Sequence, residues 1–147
     1  MDERLREAII RQVEREPFVR KFGLKLVDLG AGHSTVEMAF TDDMENMFGM
    51  AHGGAIFALI DAAFETASNS HGTVAVALNV TVNYLAAASR GDTLTAEAKE
   101  IARTRKTANY DIKVYDGRRQ LIASCQALAY RKGIPLPFLG ESAPAAS

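Results

Sequence analysis

The sequence predicts an α+β fold, a single domain in which a strongly curved antiparallel sheet wraps a central helix. Three observations carry this. Residues 53–70 include Ala55, Ile56, Phe57, Ala58, Leu59, Ile60, Ala62, Ala63, Phe64 and Ala67, and a helix apolar nearly all round is buried rather than laid on a surface. From 73 to 131 the apolar period becomes two, the pattern of successive strands. Two strand-like segments also precede the helix, so the layer that covers it is a sheet.

The elements follow in order. Residues 2–15 read as an amphipathic helix, with Asp2 as its cap and Leu5, Ile9 and Val13 on one stripe. Pro17 ends this helix or follows its end. Residues 24–29 and 33–40 read as strands joined by a hairpin at Gly30-Ala31-Gly32. Residues 41–52 form a loop whose Asn46-Met47-Phe48-Gly49-Met50 stretch is too apolar for an idle surface segment. The central helix stops near Gly72. In the next strand Val74, Val76, Leu78, Val80, Val82 and Tyr84 alternate onto one face. Gly91-Asp92 turns the chain into strands at 93–102, 108–115 and 121–130, with Asp116-Gly117 between the last two. The domain spans 1–132, and the Pro- and Ala-rich segment 133–147 reads as a flexible tail.

Composition bounds the function. A chain of 147 residues is one domain, and a net charge of −1 argues against a coat for nucleic acid or anionic membrane. The single Cys125 permits no intrachain disulfide, and three scattered His residues offer no metal-ligand spacing. The charged N-terminus lacks the apolar stretch of a secretory signal, and no apolar run is long enough to span a bilayer. A reducing cytoplasmic setting is expected.

Chemistry concentrates around the central helix. Gly53-Gly54 opens it, where amides without intrahelical acceptors and the helix dipole suit a carbonyl oxygen gaining negative charge. A tight turn with nothing bound is the plain alternative. Asp61 is an acid within an apolar helix with no Lys or Arg three or four positions away. An unpaired buried carboxylate is costly, so Asp61 is paired from elsewhere, exposed, or functional as a general base or a nucleophile. Gly53 and Asp61 are eight positions apart, roughly 12 Å along a helix. A reacting atom must lie about 3 Å from both groups, so one helix cannot serve one substrate with both. A second, antiparallel copy can, so if both groups are catalytic the site is shared between the subunits of a dimer. Asn46 can orient water or hold a carbonyl oxygen, and His52 can position the loop, although each also reads as an ordinary loop residue. Met47, Phe48, Phe57 and Phe64 suit an aryl pocket or the core equally well. His33 and His71 read as structural, and Cys125 as a packed small side chain.

The run from Asn46 to Gly54, followed by Asp61-Ala62-Ala63-Phe64 and Asn69-Ser70, closely resembles the hotdog-fold thioesterases of phenylacetate degradation. The element order β-β-α-β-β-β-β fits that fold, and the resemblance covers roughly residues 15–131. It implies hydrolysis of aryl- and phenylacetyl-coenzyme A thioesters, including ring-hydroxylated ones. It also implies that Asp61 is the catalytic acid, that the Gly53 amide polarises the carbonyl, that Asn46 and His52 support it, and that Gly54 borders the substrate. The assembly would be a tetramer built as a dimer of dimers. No metal is needed, and coenzyme A enters only as part of the substrate. Some hotdog thioesterases place Ser or Thr one turn after the acid, where this chain has Glu65. Arg103, Arg105 and Lys106 would then suit the coenzyme A phosphates, with Arg90 a weaker choice and a solvated turn the plain alternative. A hotdog hydratase or dehydratase pairing His52 with Asp61, and a non-catalytic acyl-coenzyme A binding protein, are the alternative functions.

Overall fold

The computed structural model describes residues 1–140. Helix α1 spans Glu3–Arg15, and Asp2 caps it by accepting the Leu5 N–H at 3.1 Å. Pro17 does more than end that helix. It occupies the first turn of a second, short helix, α2 (Pro17–Phe22), where its missing N–H costs nothing. Gly23, at φ 62°, ends α2 in the left-handed region. Strands β1 (Lys25–Gly30) and β2 (His33–Ala39) form the expected hairpin, closed by the pair Gly30–His33. A 3₁₀ turn at Asp42–Met44 and an isolated bridge between Glu45 and Ala51 shape the loop before the central helix α3 (Gly53–Asn69).

Strands β3 (Thr73–Tyr84), β4 (Thr93–Arg103), β5 (Thr107–Tyr115) and β6 (Leu121–Pro135) follow. The six strands form one sheet in the order β1-β2-β4-β5-β6-β3, every pair antiparallel. The sheet wraps α3, with Leu59, Ile60, Ala63 and Ala67 fully buried against inward residues such as Leu94, Tyr110, Ile112 and Ile122. Phe64 meets Tyr110 edge-on, with ring centroids 5.4 Å apart. The uncovered stripe of α3 is Gly54, Phe57, Asp61 and Glu65, spaced three, four and four residues apart.

Two expectations are corrected. Strict alternation along β3 fails because the pairing with β6 shifts register between Thr73 and Ala75 and again between Ala77 and Asn79. Val80 and Val82 pack on the main core and Val74 on a smaller cluster, while Val76 and Leu78 remain exposed. Nor does a tail begin at Gly133. β6 continues to Pro135, a 3₁₀ turn covers Pro137–Gly140, and Leu136 is buried with Ile9 and Leu29. The Leu136 N–H also donates to the Gly72 carbonyl at 3.1 Å. The remainder of the expected tail, 141–147, lies outside the described residues.

This C-terminal clasp gives a test. Leu136→Ala should destabilise the fold by about 2–4 kcal/mol, the cost of emptying a packed leucine site. A chemical denaturation curve superimposable on that of the wild type would show that Leu136 holds nothing.

Candidate active site

The stretch before α3 is built to present a helix start. Asn46 Oδ1 accepts the N–H groups of Phe48 (2.9 Å) and Met50 (3.1 Å), folding the loop back on itself. Gly49 takes φ 73° at the tip. The His52 N–H donates to the Met44 carbonyl, which fixes the approach to α3. Arg90 ties the same loop through Asp42, at 3.4 Å, and Glu45, so it is occupied in holding the loop.

His52 is the N-cap, and its Nδ1 accepts the Gly54 N–H at 2.9 Å. The ring proton therefore belongs on Nε2 when the histidine is neutral. This divides the two glycines. The Gly54 amide is used in the cap, and a Cβ there would come within 3.1 Å of Nδ1. The Gly53 amide has no acceptor among the described residues and stays available at the positive end of the helix dipole. Tyr84 reaches across from β3 and donates its hydroxyl to the Gly53 carbonyl at 3.1 Å. Gly53, Asn46, Tyr84 and Ile56 line one open cavity of ≈ 390 Å³.

Asp61 lies elsewhere. It lines a separate cavity of ≈ 370 Å³ with Glu16, Phe18, Phe64, Glu65 and Val76, and no residue lines both cavities. Asp61 makes no ion pair among the described residues, and burial raises its pKa. Asn69, one turn beyond Glu65, clamps this region. Its Nδ2 donates to the carbonyls of Glu65 (3.0 Å) and Ala75 (3.2 Å), while its Oδ1 accepts the Ala75 N–H (2.9 Å). The cavity wall on β3 is thereby fixed to α3.

Glu16, the residue between α1 and α2, brings a third acid to the Asp61 cavity. It lines that cavity beside Glu65. Burial, then the charges of Glu16 and Asp61, push Glu65 up to about 7. Glu16 is also raised, chiefly by burial. The sequence flagged Glu65 only as a departure and gave no sign of Glu16. The one available signal was that Glu16 directly precedes the proline that restarts a helix.

The remaining predicted residues separate. Phe64 is buried and floors the Asp61 cavity, while Phe57 is partly exposed one turn before Asp61 on the same stripe. Met47 and Phe48 are 87% and 73% exposed and line neither cavity, so an aryl pocket built from all four side chains does not exist in one chain. Arg103, Arg105 and Lys106 sit at the β4–β5 hairpin. Arg103 faces Glu100 at 3.5 Å, Lys106 reaches the Tyr130 hydroxyl at 3.4 Å, and Arg105 is exposed. His71 bonds Glu100 at 2.7 Å, as befits a structural residue. Cys125 is buried, and its thiol is pushed up to about 11 by burial. Among the described residues, no group of three or more His, Cys, Asp or Glu is placed to hold a metal ion, and no helix is long and apolar enough to cross a membrane.

Six antiparallel strands closed around one helix, with an unpartnered amide at its start and a desolvated acid at its middle, place the protein among the hotdog-fold hydrolases. The chain belongs to the thioesterase superfamily, whose model matches residues 48–123. It is 32% identical over 120 residues to the acyl-coenzyme A thioesterase PaaI of Escherichia coli, covering 82% of this chain and 86% of that one. The solved structure of the E. coli PaaI protein from the phenylacetic acid degradation operon superposes with a TM-score of 0.86 at 30% identity, over 90% of this chain and 96% of that one. A Streptococcus mutans protein bound to acetyl-CoA is similar at a TM-score of 0.74 and 31% identity, over 77% of this chain and 91% of that one.

The raised pKa of Glu65 makes stability depend on pH. Glu65 titrates near 7 in the folded chain and near 4.5 when unfolded, so the native state binds more protons across that window and stability falls as pH rises through it. Glu65→Gln carries no such penalty. Its melting temperature should exceed that of the wild type by more at pH 8 than at pH 5, and an equal difference at both pH values would show that the Glu65 pKa is not raised by folding.

Proposed function

We propose that the enzyme hydrolyses acyl-coenzyme A thioesters, with aryl- and phenylacetyl-coenzyme A types, ring-hydroxylated ones included, as its preferred class. The observation that carries this reading is the split site: a free amide at the start of α3 and an unpaired carboxylate at its middle, in different cavities of one chain. Asp61 takes a proton from water as the water oxygen attacks the thioester carbon. The carbonyl oxygen becomes negative and is met by the Gly53 amide of a second subunit. The C–S bond then breaks, the proton passes to the departing sulfur, and acid and free coenzyme A result. A raised pKa makes Asp61 a stronger base for the first step. Direct attack by Asp61, through an acyl-enzyme anhydride that water then cleaves, uses the same geometry.

The edge strand supports a shared site. β3 has a hydrogen-bonded neighbour, β6, on one side only. Its twelve residues include no charge and no proline, and Val76, Leu78 and Tyr84 on it are exposed. A long, uncharged apolar edge is a template for pairing with another chain. Antiparallel pairing of two β3 strands about a two-fold axis sets the two α3 helices antiparallel across their uncovered stripes. Asp61 of each chain then faces Gly53 of the other. Dimers of this kind assembled into a tetramer, as the family resemblance implies, complete the reading. Asn46, through its unused Nδ2, orients the water or the thioester oxygen beside Gly53, and His52 holds the helix start. Arg105 and its neighbours meet the phosphates. The reaction needs no metal or cofactor beyond the coenzyme A of the substrate, and a reducing cytoplasm suits the lone thiol.

A panel of aryl- and alkyl-coenzyme A thioesters, run with Asp61→Asn, tests the activity. The variant should lose orders of magnitude in kcat and keep its affinity for substrate; unchanged turnover would leave Asp61 no chemical role. Leu78→Lys on the β3 edge should yield monomers with little activity. A fully active species that sediments as a monomer would rule out the shared site.

A further inference from the structure

We infer that a mainly apolar cavity of ≈ 280 Å³, walled by α1, α3, β3 and the C-terminal 3₁₀ turn, receives the acyl group of the thioester as an uncharged aryl group. The inference rests on the hydrolytic reading above and adds to it where the acyl group lies and which segments select it. Ile9 and Val13 from α1, Val74 from β3, and Leu136 and Phe138 from the C-terminal clasp supply apolar walls. Two polar side chains on the α3 wall are already engaged. Thr66 donates its hydroxyl to the carbonyls of Ala62 (2.9 Å) and Ala63 (3.1 Å), and Asn69 uses both ends of its amide on backbone groups. No Lys, Arg or His lines the cavity, so an acyl group with its own carboxylate would find no counter-charge there. Concave, largely apolar pockets with few polar groups are the usual sites of small organic ligands.

Position ties this cavity to the reaction. Glu16, Glu65 and Ala75 line both it and the Asp61 cavity, so the two share a boundary. Along α3, Glu65 and Asn69 follow Asp61 by four and eight residues, which is about 6 and 12 Å at ~1.5 Å per residue. The second cavity therefore begins about one helical turn from the carboxylate. An acetyl group ends one bond from the carbonyl carbon and stays beside Asp61, whereas the ring of an arylacetyl group crosses the boundary. The Asp61 cavity has three carboxyls and Ser68 among its walls, so it is the less apolar of the two. Size agrees as well. An apolar cavity of about 150 Å³ takes up benzene, so ≈ 280 Å³ accommodates one ring with its substituents. Helix α1 and the C-terminal turn lie outside the stretch 48–123 that the superfamily model matches. Acyl selectivity is in this way set by segments other than the one that carries Gly53 and Asp61.

The test reads occupancy of the cavity directly. Gln12 lines it and is exposed, and the only cysteine, Cys125, is buried, so Gln12→Cys places one accessible thiol at the pocket. The substitution is combined with Asp61→Asn to keep the thioester intact, and the protein is labelled with iodoacetamide. Phenylacetyl-coenzyme A at ten times its Kd should slow labelling about tenfold, while acetyl-coenzyme A at ten times its own Kd should leave the rate nearly unchanged. Equal protection by both, or protection by neither, would overturn the inference. A second variant, Val13→Phe, fills the cavity and keeps Asp61. The ratio of kcat/KM for phenylacetyl- to acetyl-coenzyme A should fall at least about tenfold, the scale of a misfitted methylene in an apolar pocket. That ratio does not depend on how much of the protein is folded, and an unchanged ratio would count against the pocket. Labelling and turnover keep the two readings apart. Wild-type hydrolysis of phenylacetyl-coenzyme A without protection of the thiol defeats the pocket alone, whereas protection without wild-type hydrolysis defeats the hydrolytic reading alone.

Discussion

The structure depends on one constraint: α3 is apolar nearly all round, and a single sheet cannot cover it all round. Six strands bury Leu59, Ile60, Ala63 and Ala67 completely and leave a stripe from Gly54 through Phe57 and Asp61 to Glu65. Hydrophobic burial fixes the helix inside the sheet, and the gap in that burial fixes where chemistry can occur. The carboxylate of Asp61 is half-desolvated because its helix is deep, and it is reachable because its stripe is not closed. The same gap leaves Val76, Leu78 and Tyr84 exposed on the edge strand. One chain is therefore a stable fold with an unfinished surface.

The start of the helix shows how local chemistry prepares for what is missing. His52 could have been any capping side chain, but an imidazole Nδ1 that takes the Gly54 N–H leaves the preceding amide free. A Ser or Asp cap also bonds the second or third helical amide. What distinguishes this start is the set of braces around it. Tyr84 holds the Gly53 carbonyl, Asn46 curls the loop, and Arg90 pins that loop through Asp42 and Glu45. Orientation of the Gly53 amide is thus fixed from three elements before any ligand arrives, which is the preorganisation that makes an amide useful to an oxyanion.

Much of this was legible in the sequence, for reasons that can be named. The buried helix was readable because its apolar residues exceed one face, and Asp61 because a charge inside such a run contradicts it. The strands were readable from period two and from the turns at Gly32, Gly91 and Gly117. Features set by contacts between distant segments were hidden. Alternation gave no hint of the register shifts in β3, which depend on how β6 pairs with it. Leu136 looked like part of a tail because its partners, Ile9 and Leu29, belong to the first third of the chain. Met47 and Phe48 read equally as pocket or core, because apolarity in a loop does not say which way the loop points.

Glu16 is the clearest case of what sequence could not carry, and it bears on the logic of the site. Read alone, Asp61 owed its significance to the absence of a partner. In the fold it has neighbours after all, but they are the acids Glu16 and Glu65. An ion pair from Lys or Arg would have stabilised Asp61 as a carboxylate and lowered its basicity. Asp61 has no such partner among the described residues, and burial raises its pKa. A base that must take a proton from water and give it up again works better with a pKa moved toward neutrality than with one held low. Burial of Asp61 without a basic partner is, under the proposed hydrolysis, what fits it for proton transfer.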